Sequence, residues 1–153
     1  IFKEMMTSYE MPDEFEEKPR VLVFACENDA LPVFDMAAIN RLKINTSVRI
    51  LPMRCLGGLN LIYINDALSS GYDGIMLMGC SFGDDYQCHF VKGSELANTR
   101  LGKVQETINR LNLEPERVRQ FAITMNDYEK LPKIIDDFVE ELEDFGPNPF
   151  KGM

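Results

Sequence analysis

The chain has 153 residues, of which 45% are hydrophobic and 27% are charged, as expected for one globular domain with a sizeable core. It has no run of about 18 consecutive apolar residues, which excludes a membrane-spanning helix. The net charge of −9 argues against nucleic-acid binding, since phosphate backbones would be repelled. No export signal opens the sequence, so we expect a cytoplasmic protein whose cysteines stay reduced.

Residues 1–19 are predicted to be a linker or a flexible N-terminal segment. They are rich in Glu and Pro and show no amphipathic period. The first residue is Ile1 rather than Met, which predicts a fragment or a processed chain. The globular domain is expected over residues 20–146, followed by an irregular tail over 147–153.

Apolar runs and helical periods alternate along this domain. Asp29 is predicted to cap the first helix and Gly71 to end the second, and Pro52 should lie at a strand end or on an edge strand. The predicted strands are 20–26, 47–53, 74–79 and 120–124, and the predicted helices are 31–44, 59–70, 95–112 and 127–145. This alternation predicts an α/β fold: a small doubly wound, four-stranded parallel sheet in the order 2-1-3-4, with helices on both faces.

The four cysteines all follow predicted strands. Cys26 ends the first strand, Cys55 lies two residues past the second, Cys80 directly follows the third, and Cys88 lies in the loop beyond it. The carboxyl ends of parallel strands share one edge of the sheet, so we expect the four thiols to gather there, where α/β folds place their sites. Metal or cluster ligation is the favoured interpretation, ahead of buried or redox thiols and of disulfides.

The spacing of the cysteines bears on the metal. They are separated by 28, 24 and 7 residues, whereas structural zinc sites usually contain close C-x2-4-C pairs. Zinc is therefore disfavoured without being excluded. An iron–sulfur cluster held from separate loops is compatible with the pattern.

Other polar residues near the cysteines have simpler interpretations. His89 could ligate a metal or tune it through a hydrogen bond, but an ordinary loop hydrogen bond is favoured. Asp84 and Asp85 fit a solvated turn, and the acidic last helix fits a solvated face that could also dock a basic partner. Several glycines flank the cysteines and suit either tight turns or N–H···S bonds: Gly57, Gly58, Gly79 and Gly83.

Several segments together resemble a known family. VLVFACEND, DMAAINRL, VRILPMRCLG, DGIMLMGCSFGDDYQCHFVKGSE and LEPERVR follow one another in this order. Over residues 20–145 the sequence resembles the delta subunit family of methyl-viologen-reducing hydrogenase. Many members of that family carry a further cysteine at the position of Asp29.

The resemblance implies an electron-transfer domain that carries a [2Fe–2S] cluster, with Cys26, Cys55, Cys80 and Cys88 as its ligands. It implies a place in a heterodisulfide-reductase-like, quinone-interacting oxidoreductase complex of sulfate reducers. The expected partners are flavin and iron–sulfur subunits, with membrane contact only through them. The domain would be a component of an oxidoreductase without a complete active site. The alternative is a cofactor-free docking module that binds partner subunits of such a complex.

Overall fold

The computed structural model describes residues 1–7 and 18–151 and contains one four-stranded parallel sheet. The strands lie in the order β2-β1-β3-β4, which confirms the predicted fold and strand order. They are β1 (Val21–Cys26), β2 (Val48–Met53), β3 (Gly74–Gly79) and β4 (Val118–Ala122). Every neighbouring pair is parallel, so all four carboxyl ends lie at one edge.

Helices cover both faces of the sheet. They are α1 (Phe2–Thr7), α2 (Ala30–Ile39), α3 (Leu61–Ser69), α4 (Gly93–Arg110) and α5 (Leu131–Phe145), with short 3-10 turns at Leu56–Gly58, Pro115–Arg117 and Met125–Glu129. No helix in the described ranges is long and apolar enough to cross a membrane.

Strand β1 is buried along its whole length and divides the core in two. Leu22 and Phe24 pack with α3 and α4 on one face, whereas Val21, Val23 and Ala25 pack with α2 and α5 on the other. A strand with both faces covered reads as a continuous apolar run, which is why RVLVFAC predicts its place in the sheet.

Three local predictions about the helices and strands can be compared directly. Pro52 is the penultimate residue of the edge strand β2, as expected for a residue without an N–H. Gly71 follows α3 with φ +91°, the left-handed conformation predicted for a helix end. Asp29 occupies the predicted N-cap position of α2, but its side chain makes no capping hydrogen bond and is buried instead.

Helix α2 also ends five residues earlier than predicted, at Ile39 rather than Ile44. Arg41 adopts φ +56°, and the Leu42 N–H donates to the Ala37 carbonyl, which closes the helix with a Schellman-type bond. No glycine marks this end of the helix, so the helical spacing of apolar residues predicted a helix that is too long.

The boundaries around β4 are shifted in the same way. The strand begins at Val118 rather than at 120, and the last helix begins at Leu131 rather than at 127. The intervening Met125–Glu129 turn begins with a capping box. The Asp127 N–H donates to the Thr124 side chain, and the Thr124 N–H donates to the Asp127 side chain.

Both terminal segments contact the domain. Within the predicted linker, Phe2–Thr7 is helical, and the Phe2 ring lies 6.3 Å from the Phe24 ring and 5.1 Å from the Tyr63 ring. Residues 8–17 of that linker lie outside the described residues. In the predicted tail, the side chain of Asn148 is buried and donates to the carbonyls of Leu68 and Tyr72, so this tail is held against the domain.

Candidate metal centre

Two of the cysteines meet because their strands are neighbours. Cys26 is the last residue of β1 and Cys80 directly follows β3, and these strands pair in parallel. Their Sγ atoms lie 3.5 Å apart, and both residues are buried.

The other two cysteines meet through loops. Cys55 precedes the Leu56–Gly58 turn, and its Sγ accepts a hydrogen bond from the Gly57 N–H at 3.4 Å. Cys88 lies in the loop that leads into α4, and its Sγ is 3.9 Å from that of Cys55. The chain therefore forms two thiol pairs.

All four cysteines line one cavity of about 400 Å³ at the carboxyl edge of the sheet. The other residues that line it are Glu27, Asn28, Arg54, His89, Phe90 and Ser94. The gathering expected from the strand order is therefore present, and all four thiols are free rather than disulfide-bonded.

The thiols do not converge on a single point. Within residues 1–7 and 18–151, no group of three or more His, Cys, Asp or Glu side chains is arranged to hold one metal ion. The arrangement is one of separate pairs, unlike the single tetrahedral centre of a structural zinc site.

Electrostatics distinguish the members of the pairs. Burial opposes ionisation of the Cys88 thiol, but several hydrogen bonds to its sulfur outweigh burial and lower its pKa. The backbone donors belong to Phe90, in the preceding loop, and to Ser94 and Gly93, the first two residues of α4. A thiol at a helix N-terminus is stabilised as the thiolate, the form that binds metals.

The partners of these thiols are harder to ionise. Burial is the largest cause of the raised pKa of Cys55, only partly opposed by the Gly57 N–H. Burial also raises the pKa of Cys80 strongly, against the hydrogen bond donated by Asn28. Both thiols would release protons on binding a metal, so binding is expected to strengthen as the pH rises.

Gly93 leaves the space that the second pair occupies. A Cβ atom at this position would lie 2.3 Å from the Cys55 Sγ and 3.0 Å from the Cys88 Sγ. A Cβ on Gly57 would in turn lie 2.9 Å from the Gly93 Cα. The two backbones therefore approach too closely for a side chain at either position, and the Cys55–Cys88 pair lies beside this contact.

Two residues that follow Cys26 complete the surroundings of Cys80. The Asn28 Nδ2 donates to the Cys80 Sγ at 3.3 Å and to the Gln87 carbonyl at 3.2 Å. Asp29 is buried, and its Oδ2 has no hydrogen-bond partner among the described residues.

The remaining residues singled out in the sequence divide between the site and its surroundings. His89 lines the cavity, whereas Asp84 and Asp85 are exposed. Gly83 has φ +101°, so it serves a turn, and Gly79 makes room for the Leu56 side chain. Sequence reasoning missed Asn28 and Gly93, whose only signals are their places two residues after Cys26 and five residues after Cys88.

The separations within the pairs can be compared with metal geometry. Two thiolates bound to one tetrahedral metal at about 2.3 Å lie about 3.8 Å from each other. The observed 3.5 Å and 3.9 Å bracket that value. The residues present therefore fit a centre with two metal positions, each facing one pair.

Two thiol pairs at the carboxyl edge of a parallel α/β sheet are typical of a redox or metal-binding domain. Comparison with protein families is more specific. The model of the family described as "Methyl-viologen-reducing hydrogenase, delta subunit" matches residues 21–146, and the chain belongs to this family.

The region that matches this chain occurs in proteins of very different length. The chain is 29% identical over 141 residues to an iron-sulfur subunit of the F420-non-reducing hydrogenase of Archaeoglobus profundus, covering 92% of this chain and 99% of the relative. It is 30% identical over 129 residues to a subunit of the Ferredoxin:CoB-CoM heterodisulfide reductase of Methanosarcina mazei, covering 84% of this chain and 16% of the relative. The same domain is thus nearly a whole subunit in one relative and about a sixth of a chain in another. These relatives are subunits of multi-subunit redox complexes, so the family supports a role as a component of such a complex.

Proposed function

We propose that the chain is an electron-transfer domain of a redox complex and holds a [2Fe–2S] cluster through Cys26, Cys55, Cys80 and Cys88. The observation that carries this proposal is the pair of Sγ–Sγ separations, 3.5 Å for Cys26–Cys80 and 3.9 Å for Cys55–Cys88. A cluster with two irons and four cysteine ligands needs two thiolates on each iron. Two separate pairs meet that need, whereas one zinc ion would need all four sulfurs around one point.

The protein's own groups suit such a centre. When bound, the cluster would accept and release one electron at a time. The backbone N–H of Gly57 and the side chain of Asn28 donate to ligand sulfurs, and such hydrogen bonds favour the more negative, reduced state. Cys26, Cys80 and Cys88 are buried and Cys55 is partly exposed, so the cavity excludes much of the solvent while one side stays near the surface.

The relatives support the place of the domain in a larger assembly. One relative is named an iron-sulfur subunit of a hydrogenase and another a heterodisulfide reductase subunit. We infer partners that carry flavin or iron–sulfur centres and exchange electrons with this domain. A quinone-interacting complex of sulfate reduction and a cytoplasmic location stay predictions from the sequence.

Anaerobic reconstitution with iron and sulfide tests the proposal. The wild-type chain is expected to bind about two irons and to give a rhombic electron paramagnetic resonance signal after dithionite reduction. Cys55→Ala and Cys80→Ala should each lose that signal, because each removes one ligand from a different pair. His89→Ala is the matched control from the same cavity and should keep it. Reconstitution that leaves the wild-type chain free of iron would refute the proposal.

A docking module without a cofactor is the second candidate, favoured by apolar surface beside the site. A groove of about 610 Å³ adjoins Cys55 and is lined by Phe2, Pro52, Phe90 and Leu96 among others. Phe90 is 57% exposed and Leu96 is 48% exposed, which is unusual for large apolar side chains and typical of interaction surfaces. A module of this kind would bind its partner equally well after all four cysteines were replaced by serine.

A further inference from the structure

Asn28 connects three parts of the candidate centre. It lies two residues after Cys26 and is partly buried. Its Nδ2 donates one hydrogen bond to the Cys80 Sγ at 3.3 Å and another to the Gln87 carbonyl at 3.2 Å. An amide nitrogen has two hydrogens, so both donors are used.

The second of these bonds reaches the loop that carries Cys88. Gln87 directly precedes Cys88, and its own N–H donates to the Ser81 carbonyl at 3.0 Å. Both backbone groups of Gln87 are therefore hydrogen-bonded: its N–H within the loop and its carbonyl to Asn28. The bond from Asn28 links this loop to the end of β1. Asn28 thereby connects the Cys26–Cys80 pair to the loop that carries Cys88.

We propose that Asn28 is a positioning residue of this centre: it fixes the Cys88 loop relative to Cys80 and tunes the Cys80 sulfur as a ligand. The tuning part rests on the proposed cluster, whereas the positioning part concerns the chain alone. A neutral N–H donor stabilises negative charge on sulfur, and the reduced state carries more of it, so the donor raises the reduction potential. The fixed loop keeps Cys88 at the distance that pairs it with Cys55.

Two substitutions of Asn28 remove both hydrogen bonds, and two measurements then separate the positioning role from the tuning role. Asn28→Leu keeps a side chain of similar size without any donor. Asn28→Asp keeps the shape but places a negative charge beside a ligand sulfur and a carbonyl oxygen. Asn109→Asp is the matched charge control, since Asn109 is exposed on α4 about 24 Å of helix away from Gly93.

The first measurement uses the full iron-free chain. Hydrogen exchange of residues 81–92 is expected to be faster in Asn28→Leu than in the wild type, with exchange in α5 unchanged. The second measurement is a redox titration of the reconstituted chain, followed by electron paramagnetic resonance. The midpoint potential should become more negative in Asn28→Leu and more negative still in Asn28→Asp, whereas Asn109→Asp should match the wild type. A merely structural residue would not shift the potential in this order.

The outcomes are distinguishable. Unchanged exchange in residues 81–92 overturns the positioning role, whether or not the variants bind iron. A wild-type potential in both Asn28 variants overturns the tuning role, and so does an equal shift in Asn109→Asp. A wild-type chain that takes up no iron refutes the cluster and the tuning role with it, whereas faster exchange in Asn28→Leu would still support the positioning role.

Discussion

Replacing Gly93 by alanine adds one methyl group at the point where the second thiol pair is built. That Cβ would lie 2.3 Å from the Cys55 Sγ and 3.0 Å from the Cys88 Sγ, whereas ordinary contacts begin at 3.4 Å. The Cys55 sulfur would have to withdraw by about 1 Å, because the helix backbone that carries the methyl group cannot yield as easily as a side chain. The two sulfurs would then no longer share one metal position at the observed separation of 3.9 Å.

The effect of this substitution on folding should be moderate. Overpacking costs about 1–3 kcal/mol, and alanine recovers up to about 1 kcal/mol of helix propensity. At about 2–4 °C per kcal/mol for a chain of this size, the melting temperature of the iron-free Gly93→Ala protein should fall by at most about 12 °C. The variant therefore stays folded at room temperature, and its iron binding can be measured.

Gly102 supplies the control within the same helix. A Cβ on Gly102 would meet nothing within 4 Å, and the residue lies in the interior of α4. Gly102→Ala is expected to stabilise the chain by about 0.5–1 kcal/mol and to bind iron like the wild type. Iron content and the reduced-state electron paramagnetic resonance signal of Gly93→Ala should fall at least tenfold relative to Gly102→Ala. Equal iron loading of the two variants would show that the close approach at Gly93 does not set the site.

Three further predictions concern the pairing and the frame of the domain. Oxidation of the iron-free chain with diamide should form one disulfide within each thiol pair, each with loss of two hydrogens from the chain to diamide, and peptide mapping that finds cross-pair disulfides would contradict the pairing. Asp127→Asn should cost about 1 kcal/mol at pH 7, because the hydrogen bond from the Thr124 N–H to the carboxylate lowers the pKa of Asp127. This contribution to stability is present above the unfolded pKa of about 3.9 and is lost as the pH falls through the folded pKa. The denaturation curves of the two proteins should therefore converge in acid, and a difference that stays constant with pH would refute the reasoning. Asn148→Ala removes the buried amide that donates to the carbonyls of Leu68 and Tyr72 and should cost about 1–3 kcal/mol in urea unfolding without changing iron loading. Loss of iron in this variant would show that the two ends of the sheet are linked.

The sheet could be predicted because its strands have a clear compositional pattern. VLVFAC and GIMLMG are apolar throughout, which is the pattern of strands covered on both faces, and the segments between them have helical periods. The ends of the helices were harder to predict from the sequence. Arg41 takes a left-handed conformation without being glycine, and the turn that begins at Met125 continues the helical pattern of α5 backwards, so neither end has a compositional signal.

The surroundings of the cysteines could be predicted only in part, for a different reason. Strand order places residues along an edge, but hydrogen bonds depend on how loops return to that edge. Asn28 and Gln87 are 59 positions apart in sequence, and nothing in either segment indicates that they meet. Gly93 looks like any loop glycine until the sulfurs beside it are located.

The division into pairs shows where sequence reasoning stops. Cys26 ends β1, which lies between β2 and β3, so strand order alone allows it to pair with Cys55 or with Cys80. Two features distinguish these partners. Cys80 directly follows β3, whereas Cys55 lies two residues past β2 and caps a 3-10 turn whose Gly57 N–H donates to its sulfur. That leaves Cys55 for Cys88, which lies in the loop leading to the start of α4. The two thiol pairs therefore depend both on the strand order, which can be predicted, and on two loop conformations, which cannot.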